Sequence, residues 1–117
     1  MKLRKIISLE YLIALLVTVF FYWHFEFSFL YFVLLLLLPD ITMLGYIVNT
    51  KVGALFYNIG HSLVLPGILL IIGFVTASSP LLMASIIWIA HIFLDRALGY
   101  GLKYDGTFTK THLQQIV

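Results

Sequence analysis

His91 and Asp95 stand four residues apart in the segment WIAHIFLDRALGYGLKY, residues 88–104, on an otherwise apolar stretch. At that spacing both side chains lie on one face of a helix, with Trp88 as their neighbour. An ionisable group in such a segment is costly unless a partner, a cavity or a function accounts for it. Imidazole and carboxylate together suggest proton transfer or ligation of a divalent cation. The same residue types recur at Glu10, Asp40 and His61, the last preceded by Tyr57 and Asn58. We therefore expect a metal site drawn from His61, His91, Asp95 and Asp40, with Asn58, Tyr57, Trp88 and Arg96 in support. Asp40, Asp95 and Glu10 are the candidate catalytic carboxylates, each a base or a group that orients a ligating histidine. Zinc, manganese or iron suits such donors. With an open position the metal would lower the pKa of a bound water and support hydrolysis. The alternative is interhelical hydrogen bonding alone, with neutral histidines and Asp95 paired to Arg96 or Lys103. Arg96 itself is expected to mark topology and to join a salt bridge.

The elements that must position these groups follow from composition. The chain has 117 residues, of which 62% are hydrophobic and 10% charged, and its mean hydropathy is +1.09. These values describe one all-α integral membrane domain over residues 1–117 and exclude an ordinary soluble one. The lack of cysteine removes disulfides, thiolate nucleophiles and thiolate ligands. With about 20 apolar residues needed per crossing, four spans fall near residues 6–24, 27–48, 52–75 and 80–98. They form an antiparallel four-helix bundle, followed by a short tail over 99–117. Pro39 should kink the second span just before Asp40, and Pro80 fits the first turn of the fourth. Gly53, Gly60 and Gly67 form a period-seven stripe that permits close helix approach.

The basic residues Lys2, Arg4, Lys5, Lys51, Arg96, Lys103 and Lys110 all fall on the side that carries both termini. By the positive-inside rule that side is cytoplasmic, N-in and C-in. Lys2, Arg4 and Lys5 ahead of an apolar run resemble a signal peptide, but no small-residue cleavage site follows. Counted along the helices, His61 lies about 13 Å into the third span, and the five polar groups share the cytoplasmic third. Scattered basic residues give no nucleic-acid face.

Other polar residues fit simpler roles. His24 and Glu26 read as interfacial solvation, and His112 as a surface residue. Thr107 and Thr109 are suited to cap a short C-terminal helix. The run FFYWHFEFSFLYF reads as lipid-facing and interfacial packing, with Tyr22, Trp23 and Tyr31 at the far interface and Tyr46, Tyr100 and Tyr104 at the near one. Gly99 and Gly101 mark a turned exit from the fourth helix, without the spacing of a phosphate loop.

The segments LPDITMLGY (38–46), VGALFYNIGHSLVLP (52–66), WIAHIFLDRALGYGLKY (88–104) and FTKTHL (108–113), with SLEYL near the N-terminus, resemble a family of small bacterial membrane proteins, domain-of-unknown-function family 4260. The likeness covers nearly the whole chain and carries Glu10 over as a family position. Phe93 stands where that family usually has glycine, and Ile41-Thr42 where it tends to have a serine. More distantly, Pro39-Asp40, His61-Ser62 and His91-x-x-Leu94-Asp95 resemble bacterial inner-membrane proteins described as metal-dependent hydrolases. Phe56 and Tyr57 stand in place of a histidine and an arginine of those proteins. The resemblances imply a multi-pass protein of the bacterial cytoplasmic membrane. The combined expectation is a cytoplasm-facing divalent-metal site, hydrolysing a lipid-like amphiphile that enters between helices from the bilayer. The alternative is a non-enzymatic binding, ion-handling or assembly protein, with an oligomer left open.

Overall fold

The computed structural model describes residues 2–102 and 111–115. The roles expected of Lys103, Tyr104, Thr107, Thr109 and Lys110 fall outside these residues. Among the described residues the chain is helical, without a β-strand. The elements are α1 (Leu3–His24), α2 (Phe29–Leu35), a 3₁₀ stretch (Leu38–Ile47), α3 (Thr50–His61), α4 (Val64–Val75), α5 (Ser79–Ala97) and a 3₁₀ turn (Leu113–Gln115). Taken by length and apolarity, Leu3–His24, Phe29–Ile47, Thr50–Val75 and Ser79–Ala97 are each sufficient to cross a membrane.

Polar residues start three of the helices. The side chain of Asn49 accepts from the Val52 amide at 2.7 Å at the head of α3, and Ser28 and Ser78 do the same for α2 and α5 at 3.4 Å. Each satisfies a donor that the first helical turn leaves without a partner. Pro80 lies in the first turn of α5.

The second and third apolar stretches are not continuous α-helices. Pro39 lacks an amide hydrogen, and its ring crowds the carbonyl four residues back, so α2 ends at Leu35. The expected kink is instead a change of helix type, a ten-residue 3₁₀ stretch longer than such helices usually run. Pro66 does the same to the third stretch. Its ring would crowd the carbonyl of Ser62, and the backbone there is extended, φ −89° and ψ 146°. The single helix expected over residues 52–75 is therefore two, with the break directly after His61.

α5 is the centre of the molecule. α1 and α4 pack along it, the 3₁₀ stretch lies on α3, and α2 touches α5. Tyr22, Ile86 and Ile87 form the buried core, with Phe27, Phe32, Leu35, Leu70 and Met83 against them. Tyr22 was expected at an interface; it is fully buried, and its hydroxyl donates to the Ser28 carbonyl. Phe20, Phe21, Trp23, Phe25 and Tyr31 remain exposed around it. The glycine stripe serves close packing at two of its three positions. Tyr46 covers Gly53 and Thr42 covers Gly60, whereas nothing lies within 4 Å of where a side chain at Gly67 would begin.

Candidate metal centre

Four side chains from three elements meet at one point. Asp40 comes from the 3₁₀ stretch, His61 from the last residue of α3, and His91 and Asp95 from α5. One ligand atom from each lies within 4.8 Å of all the others. His61 Nε2 is 3.1 Å from Asp40 Oδ1 and 3.3 Å from Asp95 Oδ2. His91 Nε2 is 3.1 Å and 3.2 Å from the same two oxygens, and the two Nε2 atoms are 3.1 Å apart. Ligand bonds of about 2.0–2.1 Å around a tetrahedral ion give ligand-to-ligand edges of about 3.3 Å. The five edges of 3.1–3.3 Å are close to that figure, while the edge between the two carboxylate oxygens is bounded only by the 4.8 Å that encloses the group.

The other ring nitrogens decide what these atoms can do. His61 Nδ1 lies 3.0 Å from the Tyr57 carbonyl, and His91 Nδ1 lies 2.6 Å from the Leu36 carbonyl. A carbonyl oxygen only accepts, so each Nδ1 carries the proton and donates it. In a neutral ring Nε2 then holds a lone pair. Two such nitrogens and two carboxylate oxygens, all acceptors, therefore face one another. A shared cation or extra protons would reconcile them, and the four atoms lie close enough together to hold one metal ion. His61 and His91 are buried, while the side chains of Asp40 and Asp95 are 42% and 22% exposed. Any incoming group reaches the centre from the carboxylate side.

The helix breaks are what orient these side chains. In a continuous helix the carbonyls of Leu36, Gly60 and His61 would accept from the amides of residues 40, 64 and 65. The Asp40 amide instead bonds the Leu37 carbonyl at 3.1 Å, and the Val64 amide bonds Ser62 Oγ at 3.3 Å. The three carbonyls are each taken by a side chain of α5. His91 Nδ1 donates to Leu36, Trp88 Nε1 to Gly60 at 2.6 Å, and Arg96 Nη2 to His61 at 3.2 Å. A buried carbonyl left without a donor costs several kcal/mol in an apolar medium, by order of magnitude. These bonds thus hold α5 in register with both breaks, and with it His91 and Asp95. Tyr57 adds a stacking wall, its ring 3.9 Å from that of His61 and 10° from parallel.

The structure departs from expectation at several residues. Arg96 is not a surface cation and forms no carboxylate pair among the described residues. It is buried, with Nη1 donating to the Tyr11 hydroxyl at 3.2 Å and the guanidinium 5.5 Å from the Tyr11 ring centre. Asp95 pairs with His61 and His91, not with Arg96. Glu10 is exposed on α1 and stands outside the four-residue group. Asn58 is half-buried on α3, and His24 and Glu26 are exposed. His112, expected at the surface, is clamped to Leu102: its Nδ1 accepts from the Leu102 amide at 2.7 Å, and its own amide donates to the Leu102 carbonyl at 2.8 Å. Burial, with the nearby Arg96 charge second, holds its imidazole below the ordinary histidine pKa. Tyr11 had no place in the sequence expectations. Its only signal is its position one residue after Glu10.

The geometry defines a class: among the described residues, a helical protein with four helical stretches long and apolar enough to cross a membrane, carrying two buried histidines and two partly exposed aspartates with the donors to hold a metal ion. The chain matches the model of the family described as domain of unknown function (DUF4260) over residues 4–116, and it belongs to that family. No curated protein and no solved structure matches it.

Proposed function

We propose that this is an integral membrane protein, N-in and C-in, that binds one divalent metal ion through His61, His91, Asp40 and Asp95. The observation behind this reading is the convergence of four acceptor atoms whose histidine tautomers are fixed by the carbonyls of Tyr57 and Leu36. The bacterial cytoplasmic membrane is the location in keeping with the resemblance and with the placement of the basic residues. An ion held by these four residues would supply a Lewis acid beside two carboxylates. Asp40, the more exposed, would hold the ion through Oδ1 and keep its other oxygen to take a proton from a water on the open side, and the chemistry we infer is metal-dependent hydrolysis of an amphiphile. Metal analysis of protein purified without added metal tests the binding. One equivalent of zinc, manganese or iron is expected, and it should be lost in His61→Ala or His91→Ala while helical content by circular dichroism is kept. Metal-free wild-type protein, with those variants folded, would overturn the reading.

A second reading has its own observation. Four protein donors are enough to fill the closed shell of a structural site, whereas catalytic sites keep a position open. On that reading the protein binds a cation without hydrolysis. Cobalt(II) substitution separates the two: an absorption spectrum that shifts when a small anion is added indicates an open position, and an indifferent one indicates a closed shell.

A further inference from the structure

Beside the metal centre runs an apolar groove with a cavity volume of about 280 Å³. Leu35, Pro39, Thr42, Gly60, Ile87 and Trp88 are among the residues that line it. Three of these residues adjoin ligands: Pro39 precedes Asp40, Gly60 precedes His61, and Trp88 lies one turn before His91. The groove is thus built by the three elements of the centre together with the end of α2.

The groove offers almost nothing to a polar group. The Thr42 hydroxyl donates to the Pro39 carbonyl at 2.8 Å, and the Trp88 indole N–H donates to the Gly60 carbonyl at 2.6 Å. Both donors are therefore already taken, and the lining is almost wholly apolar. The volume falls just below the about 300–1,000 Å³ of sites for drug-sized molecules, which is room for one hydrocarbon chain and not for a two-chain lipid. Charge at the adjoining end selects the head. A divalent ion would be neutralised by Asp40 and Asp95, and the buried Arg96, bonded to the His61 carbonyl, would add a positive charge beside it. An anion is favoured there. From these observations, and resting on the metal reading above, we propose that the groove is the chain subsite for a single-chain amphiphile whose anionic oxygen head binds the metal between Asp40 and Asp95.

The chain has two tryptophans, Trp23 and Trp88, so Trp23→Phe leaves Trp88 as the reporter. Protein in an unbrominated detergent is titrated with a brominated long-chain alkyl phosphate, with and without zinc, while zinc stoichiometry is measured separately. Saturable quenching is expected at a half-point about tenfold lower with zinc bound. The variant Ala84→Phe, which fills the groove from an exposed position on α5, should raise that half-point about tenfold with zinc content unchanged. A brominated alkyl alcohol should show no zinc dependence, and inorganic phosphate should compete only weakly. If zinc binds stoichiometrically but phosphate and alcohol quench alike in the presence and absence of zinc, only surrounding detergent or lipid chains are being reported. The groove proposal then fails while the metal reading stands. If zinc does not bind, both fall.

Discussion

At Arg96 one guanidinium joins three helices: it extends from α5, donates to the Tyr11 hydroxyl of α1 and closes the His61 carbonyl at the end of α3. The side chain is 7% exposed, so these bonds form where water competes little, and bonds involving a charge are the stronger kind. On the proposed metal reading its effect is indirect. By fixing the His61 backbone it fixes where the imidazole of that residue points, which makes it a positioning residue. Loss of such outer support typically weakens metal binding by about 10–100-fold. Arg96→Met is therefore expected to lower zinc affinity by about tenfold or more, with Arg96→Lys intermediate because one amine cannot reach both acceptors. Competition with a chelator of known affinity measures this, and circular dichroism verifies the fold. Equal affinity in wild type and Arg96→Met would show that His61 is held without it.

At the level of elements, the 3₁₀ stretch must lie against α3 closely enough for Asp40 to reach His61, and glycine permits this. A methyl group at Gly60 would collide with Thr42, whose hydroxyl is already tied to Pro39, and one at Gly53 would enter the Tyr46 ring. Overpacking of this kind costs about 1–3 kcal/mol. At Gly67 a methyl meets nothing, and alanine in a helix interior gains about 0.5–1 kcal/mol over glycine. Gly60→Ala and Gly53→Ala should lower the thermal midpoint and Gly67→Ala should hold or raise it; a uniform response of all three would show that the stripe does not act through these contacts. The contrast also marks how far the sequence could be read. Spacing alone suggested a stripe of three glycines, but not that the third lies past a break. The break itself was visible in Pro66, three residues into α4, whose effect a hydropathy count does not register. The His91-x-x-x-Asp95 pair was legible because helix periodicity fixes it locally. That Leu36, Gly60 and His61 offer free carbonyls depends on where two helices end, and the pairing of each with an α5 side chain depends on tertiary packing. Glu10 shows the converse. Its depth along α1 fitted the site, but depth does not determine facing, and it faces outward.

For the whole molecule the decisive question is which side of a bilayer the centre faces. Reading Leu3–His24, Phe29–Ile47, Thr50–Val75 and Ser79–Ala97 as four crossings places the α1 start, the α3 start and the α5 end on one side, and all described Lys and Arg residues with them. The turn that carries Ala77 and Ser78 lies on the other. Orientation follows the excess of basic residues in short cytoplasmic segments, so on the proposed N-in, C-in reading the carboxylates at the centre would open toward the cytoplasmic half, within reach of an amphiphile of the inner leaflet. The chain contains no cysteine, so single cysteines are clean reporters. Ser78→Cys should react with a membrane-impermeant maleimide in intact cells, and Lys51→Cys only after the cells are opened. Labelling of Lys51→Cys but not Ser78→Cys in intact cells would invert the orientation, and the metal centre would then open toward the outer leaflet and draw on a different pool of substrates. Labelling of both before lysis would show that these segments are not separated by a membrane, and the membrane reading itself would fall.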